Sequence, residues 1–442
     1  VLFCVGGWIH RGYDNQHPDI LPAAPECGGN AALARCAKKV MELGYLFCPH
    51  DNYQDIYRDS PSWDLAVLVK QRNGQPTKGG RWAGGRAYLV NSQEGLRFAR
   101  RPQNLPAVRK LTGANCYFID TTTAAGLVED FDANHPQSRA DDLKWKKALC
   151  AYARETFGIF GSECGKEWGV SACDFFEGIV GVRDSYYHAW KDYPQRHLAV
   201  GGVPVPLFEM VYRDCIAAYG KYGFDPRKSA EYMLWCLSVG RPVNFHSVPP
   251  GLYWERKEEK DRFDESAPAD PGRPDPALFT RAHGGWAEGL HVLDRTVKNT
   301  AEIHGALHEL TAKCLLRRYE FLTPDRKVRR SIFGEGAQAV EVVVNMSDSH
   351  FTWKTALGGN VRLAPNGFVV EGPTFAAFCA TRWGGRSYKH PAMFAVRSVN
   401  DKPFAKASSV RVYHAFGDNA LVLRGRKHVV PREAVVRLGP KR

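Results

Sequence analysis

From residue 1 to about residue 325, short apolar runs alternate with segments of helical period, and this alternation limits the chain to folds built on a parallel sheet. Strands are expected at 1–5, 45–48, 116–119, 158–160, 178–182, 203–208 and 243–245, and helices at 31–43, 143–156, 229–239 and 300–318. Gly44 and Gly158 stand where a helix must stop before the next strand begins. Parallel neighbours need a crossover, so each strand with its helix is one repeating unit. The series predicts an α/β fold, a (β/α)8 TIM-type barrel over residues 1–325, N-terminally truncated by a strand or two because the chain opens inside an apolar run. An open doubly wound sheet is the competing arrangement, but Val5-Gly6-Gly7-Trp8 makes no GxGxxG ahead of a helix. Residues 255–285 are charged and proline-rich, the composition of a long surface insertion. After about residue 326 the helical period gives way to β-branched and alternating runs such as Val340-Glu341-Val342-Val343-Val344, which predicts an all-β sandwich domain over 326–442.

With 442 residues, 44% of them apolar, the chain can fill the cores of one large and one smaller domain. No apolar run approaches the roughly 18 residues of a membrane span, so no membrane span is expected. The first residue is Val, no targeting segment is visible, and the compartment stays open. A net charge of +13 could attract a polyanion, yet the basic residues form only local clusters at Arg97, Arg100 and Arg101 and at 326–330, which argues against a nucleic-acid partner. Twelve cysteines occur without a CxxC pair, and several lie in apolar runs, as buried thiols do.

Two of the expected strands deliver a carboxylate into a turn of small and hydroxylated residues. Asp120 ends Cys116-Tyr117-Phe118-Ile119 and precedes three threonines, while Glu163 follows Phe160-Gly161-Ser162. Catalytic groups of a barrel sit at the C-terminal ends of its strands, and a pair of carboxylates there is what glycosidic cleavage requires. The structural alternative for Asp120 is a helix N-cap or an ion pair, and Glu167 competes with Glu163 for the acid role. Further strand ends add polar groups suited to sugar hydroxyls: His50, Asp51, Asn52, Tyr53 and Gln54 in one series, and Asp174, Tyr212, Asp214 and His246 elsewhere. Trp82 offers a flat apolar face for stacking on a pyranose ring, as do Trp8, Trp63 and Trp168. His304 and His308 have i, i+4 spacing, but His-Gly-Ala-Leu-His lacks the Glu of HExxH, and no GxSxG occurs. No metal and no organic cofactor is expected.

The segments His50-Asp51-Asn52-Tyr53-Gln54-Asp55-Ile56, Phe118-Ile119-Asp120, Gly161-Ser162-Glu163, Ala172-Cys173-Asp174-Phe175-Phe176-Glu177-Gly178 and Val205-Pro206-Leu207-Phe208-Glu209-Met210-Val211-Tyr212 resemble the α-N-acetylgalactosaminidases of glycoside hydrolase families 129 and 101. The resemblance runs over roughly residues 1–345. It implies a retaining glycosidase with Asp120 as nucleophile and Glu163 as acid/base, acting on α-linked N-acetylgalactosamine of glycans or glycopeptides. Arg213 departs from the pattern, since a His is expected there, and the usual N-terminal β-domain is absent from the chain as given. An α-galactosidase of the same mechanism is the close alternative, and a non-catalytic carbohydrate-binding protein on a barrel scaffold is the alternative from another class.

Overall fold

Strand β1 (Leu2–Val5) pairs in parallel with β2 (Leu46–Asp51), and the first half of the chain repeats this step. The computed structural model describes residues 1–179, 205–220, 230–245, 279, 284–290 and 292–439. The chain divides into two units, Val1–Val180 and Gly181–Arg442.

In the first unit β1, β2, β6 (Tyr117–Ile119), β7 (Phe160–Gly165) and β8 (Phe175–Ile179) form a parallel sheet in that order. Helix α1 (Gly29–Glu42) makes the first crossover, α2 (Ser92–Arg100) and α3 (Leu105–Thr112) the second, and α4 (Arg139–Phe157) the third. Gly44, Gly113 and Gly158 follow these helices with positive φ, so the expected stops at Gly44 and Gly158 are where the chain leaves the helix. Helix α4 starts in a capping box, in which Ser138 and Asp141 satisfy each other's backbone N–H groups. Before β6, the strands β3 (Asp55–Ile56), β4 (Lys78–Trp82) and β5 (Gly85–Leu89) form a small antiparallel sheet in the order β3-β5-β4. The five-stranded sheet is half of a barrel wall.

Alternation along the strands sorts side chains between two faces. Tyr117 stacks on Phe157 of α4, with ring centroids 4.3 Å apart, so that face looks toward the helix layer. The other face carries His50, Phe118 and Phe175: the His50 ring meets Phe118 edge-on at 4.6 Å, and Phe118 and Phe175 lie 6.1 Å apart. Gly161 lies between these last two on β7, and a Cβ there would come within 2.3 Å of the Phe175 ring. Gly161→Ala is therefore expected to lower stability by about 1–3 kcal/mol through overpacking. An unchanged denaturant midpoint would refute this packing.

In the second unit α5 (Leu207–Tyr212), β9 (Ala217–Tyr219) and α6 (Ala230–Val239) precede α7 (Val292–Thr300), which runs through a π-helical turn at Ala301–Gly305 into α8 (Ala306–Thr311). The strands β10 (Leu316–Phe321), β11 (Val328–Phe333), β12 (Val340–Asn345), β13 (Phe351–Thr355), β14 (Gly359–Leu363), β15 (Phe368–Glu371), β16 (Phe375–Trp383), β17 (Arg386–Ser398) and β18 (Ser409–Phe416) follow. They are completed by β19 (Ala420–Leu423), β20 (Arg426–Val429) and β21 (Glu433–Arg437). Where two facing sheets of a sandwich are expected, the described strands form one ten-stranded sheet, with β19 and β20 as a separate hairpin. Helix α6 and the helical turn around Ile303 cover one face, packing with Val340, Val342 and Val344, while Val343 points into a second core with Val361, Leu363, Leu421 and Leu423. Burial on both faces explains the unbroken β-branched run of β12.

Three expected elements take other forms. Leu207–Tyr212 is helical rather than extended, starting after Pro206, which fits the N-cap because it has no N–H to lose. Residues 243–245 carry no strand, and the expected helix 300–318 ends at Thr311, leaving Leu316 to begin β10. Residues 180–182, 203–204, 246–278 and 280–283 lie outside the described residues, and with them part of two expected strands and most of the expected insertion. Among the described residues no helix is long and apolar enough to cross a membrane.

Candidate active site at the strand ends of the parallel sheet

The register aligns Asp51 with Ile119, Ile119 with Ser162, and Glu163 with Glu177. One residue further along β6 is Asp120, whose N–H donates to the Asp51 carbonyl at 2.8 Å. Asp120, Glu163 and Glu177 thus leave three neighbouring strands at one level, on the face that carries Phe118 and Phe175. All three are half-buried. The turn after β6 is locked to β7: Ser162 Oγ donates to the Ile119 carbonyl at 2.7 Å, Thr123 N–H donates to Ser162 Oγ at 3.2 Å, and Thr123 Oγ1 donates to the Glu163 carbonyl at 2.5 Å. The side chains of Ser162 and Thr123 thus fasten the turn.

The Asp120 carboxylate is met by the loop after β1. Tyr13 Oη donates to Asp120 Oδ2 at 3.0 Å and lies 2.9 Å from His50 Nε2, which is itself 3.9 Å from Asp120 Oδ1. Trp8 is buried beneath this group, and its indole N–H donates to the His50 carbonyl at 3.0 Å. Burial alone would lower the His50 pKa, but the adjacent Asp120 carboxylate, helped by Cys4 and Glu177, raises it to about 9. Burial also raises Asp14 to about 6 and Asp55 to about 7, with the Asp120 charge adding to both. Asp14 Oδ1 accepts from Tyr57 Oη at 3.2 Å and lies 3.7 Å from His17 Nε2.

Of the series His50 to Gln54, His50 brings its side chain to the Asp120 carboxylate, and Asp51 meets the Asp120 N–H through its backbone carbonyl. Asp51 points to the helix side, where Tyr117 Oη donates to it at 2.7 Å and burial raises its pKa to about 7. Asn52 is buried and closes its own turn, accepting from the N–H groups of Gln54 at 2.8 Å and Asp55 at 3.1 Å and donating to Asp55 Oδ2 at 3.0 Å. Tyr53 is buried and accepts from Asn104 at 3.2 Å, and the Gln54 carbonyl accepts from Val90 N–H at 2.8 Å. The side chains of Asp51, Asn52 and Tyr53 are thus spent within the fold, and the Gln54 backbone joins the turn to the residue that follows β5.

Asp174 stands before β8, at the opposite end of the sheet from Asp120. There it accepts from Phe160 N–H at 2.9 Å and lies 3.9 Å from Arg154. Trp82 is 49% exposed, its indole laid against Gly80; the tip of its hairpin is fixed where Gly84 N–H donates to the Asp14 carbonyl at 2.7 Å. In the second unit Tyr212 packs on Phe208 with centroids 5.2 Å apart, and Asp214 is exposed. Arg213, which stands where the resemblance led us to expect a His, is buried and bonds to the carbonyls of Val239, Gly240, Thr311 and Cys314 and to Thr311 Oγ1. His246 lies outside the described residues. His304 bonds the Met233 carbonyl at 2.9 Å, and no group of metal-ligating side chains occurs among the described residues.

Tyr13, Asp14 and Glu177 were not singled out in the sequence. A signal existed for Glu177, because alternation from Phe175 along β8 puts a third carboxylate beside the pair. Tyr13 and Asp14 follow the first strand in Gly12-Tyr13-Asp14-Asn15, again a strand end.

Residues 30–196 match the family described as glycosyl hydrolases related to GH101 family, GH129, so the chain carries a glycoside hydrolase family segment and the resemblance read in the sequence holds. Comparison with curated proteins gives no match. Among solved structures the chain is similar to the alpha-N-acetylgalactosaminidase NagBb of Bifidobacterium bifidum. A quadruple mutant of that enzyme aligns with a TM-score of 0.58 at 21% identity, over 78% of this chain and 47% of the other. Its GalNAc complex aligns with a TM-score of 0.57 at 23% identity, over 77% and 47%. At this identity the likeness is one of fold, and the chain spans about half the length of the structures it matches.

Proposed function

We propose that the chain, with a glycoside hydrolase family segment at residues 30–196, is a retaining α-glycosidase that releases α-linked N-acetylgalactosamine from glycans or glycopeptides. The observation that carries this reading is the placement of Asp120 and Glu163 on adjacent strands of one parallel sheet, in line with each other, with Asp120 held by Tyr13 and His50. Neighbouring strands are about 4.8 Å apart, which suits the roughly 5–5.5 Å between carboxyl groups of a retaining pair better than the roughly 6.5–9.5 Å of an inverting one. In the proposed cycle Asp120 attacks the anomeric carbon while Glu163 gives its proton to the departing glycosidic oxygen. Glu163 then takes a proton from water, whose oxygen displaces Asp120 and frees the sugar with its original anomeric configuration. The five described strands are read as the contiguous part of a (β/α)8 barrel wall, open to a substrate at their C-terminal ends.

Hydrolysis of para-nitrophenyl α-N-acetylgalactosaminide and of the matching α-galactoside, with the released anomer followed by proton NMR, tests the reading. Initial release of the α-anomer from the first substrate is the expected result. Release of the β-anomer would overturn the mechanism, and preference for the galactoside would overturn the sugar.

A further inference from the structure

The Tyr13 hydroxyl has one proton and three neighbours to claim it, His50 Nε2 at 2.9 Å, Asp120 Oδ2 at 3.0 Å and, at the longer distance of 3.4 Å, the Asp51 carbonyl. An ionised carboxylate can only accept, so a hydroxyl bonded to Asp120 must donate to it. The Tyr13 oxygen is then left to accept from His50, which requires a proton on Nε2. With Asp120 ionised, as a nucleophile is, the chain His50 Nε2–H to Tyr13 Oη–H to Asp120 Oδ2 satisfies the two short contacts together. We propose that His50 and Tyr13 form a positioning relay behind Asp120, in which imidazolium fixes the direction of the tyrosine proton and holds the carboxylate ionised and in one orientation for attack. This rests on the reading of Asp120 as nucleophile and adds to it two residues that act through Asp120 without meeting the sugar.

The groups facing the imidazole among the described residues come from every element around it. Cys4 on β1, Asp120 after β6 and Glu177 on β8 favour its charge, and Tyr13 and His17 approach from the loop after β1. Asp14 and Asp51 share its field. Four carboxylates and a thiol thus outnumber His17, the cationic candidate among these groups, and His17 is itself kept neutral, its pKa lowered to about 3 mainly by burial. The imidazolium is the natural state of His50 at neutral pH. When the imidazolium loses a proton, the neutral ring can still donate from Nε2 to Tyr13, but the positive charge beside Asp120 is gone. Because the folded pKa is raised to about 9, the stability that the ion pair adds is fully present below the ordinary value of 6.5 and is lost as pH rises through about 9. Turnover should follow the same limb.

The test joins a titration to kinetics. Nitrogen-15 histidine spectra of the whole chain, with the His50 signal identified by its loss in His50→Gln, should show it titrating well above the other histidines. Its midpoint should fall by about 1–3 pH units in Asp120→Asn, the range expected for losing an adjacent opposite charge. Tyr13→Phe should lower kcat roughly 10-fold, the scale of one lost hydrogen bond of about 1.4 kcal/mol, with little change in KM. His50→Gln, which still donates to Tyr13 but cannot titrate, should keep part of the activity and lose the alkaline limb near pH 9. A His50 midpoint near 6.5 that ignores Asp120→Asn overturns the relay even if the enzyme turns over as proposed. A raised midpoint in a chain that hydrolyses neither glycoside leaves the relay standing and overturns the reading of function instead.

Discussion

Asp120→Asn is expected to lower kcat/KM toward an aryl α-N-acetylgalactosaminide by about 10⁴-fold or more, the scale seen when a reacting group is removed from an assembled site. The amide is nearly isosteric, but it cannot form the glycosyl ester, and its NH₂ would face the Tyr13 hydroxyl that now donates to Oδ2 at 3.0 Å. A change so small should leave the parallel sheet intact, because the backbone bond from Asp120 N–H to the Asp51 carbonyl does not involve the side chain. The measurement is steady-state turnover beside thermal unfolding. Activity within about 10-fold of wild type, with the fold unchanged, would remove Asp120 from the nucleophile role.

Glu163→Gln should cost about 10²–10⁴-fold, the range for a lost general acid–base group, and the loss should depend on the leaving group. A nitrophenolate departs without help, so with that substrate the first step is spared and the glycosyl-enzyme accumulates. Azide needs no general base and should restore turnover by attacking that intermediate, giving an α-glycosyl azide. Glu167→Gln is expected to leave the rate within a few-fold of wild type, since Glu167 is exposed in the short helical turn Glu167–Gly169 beyond β7. Azide rescue of Glu177→Gln in place of Glu163→Gln would move the acid/base role one strand along the sheet.

What the sequence disclosed and what it hid differ in physical kind. The carboxylates at 120 and 163 were legible because strand and turn are local patterns, and a parallel sheet brings strand ends to one edge without further information. Helix stops at Gly44 and Gly158 were legible for the same reason, since positive φ selects glycine residue by residue. The partners of Asp120 were not, because Tyr13 reaches it across 107 positions through a loop with no periodicity. The side chains of Asp51, Asn52 and Tyr53 misled in the opposite direction. Their polar groups find partners within the fold, and a composition rich in donors does not reveal whether they are already used. Residues 203–208 were read as extended, although Pro206 could equally open a helix, as it does at Leu207–Tyr212.

Arg213 bears on how substitutions at that position should be understood. Its guanidinium reaches the carbonyls of Val239 and Gly240 at the end of α6 and those of Thr311 and Cys314 at the end of α8, so one side chain serves as a shared C-terminal cap for two helices. The negative ends of two helix dipoles converge on a single positive charge that burial lowers to a pKa of about 10 and does not neutralise. An imidazole offers two ring nitrogens against these four carbonyls and could not terminate both helices at once. A histidine at this position in a related chain would therefore signal that the two helix ends are arranged differently, and the exchange of arginine for histidine concerns architecture before it concerns the sugar.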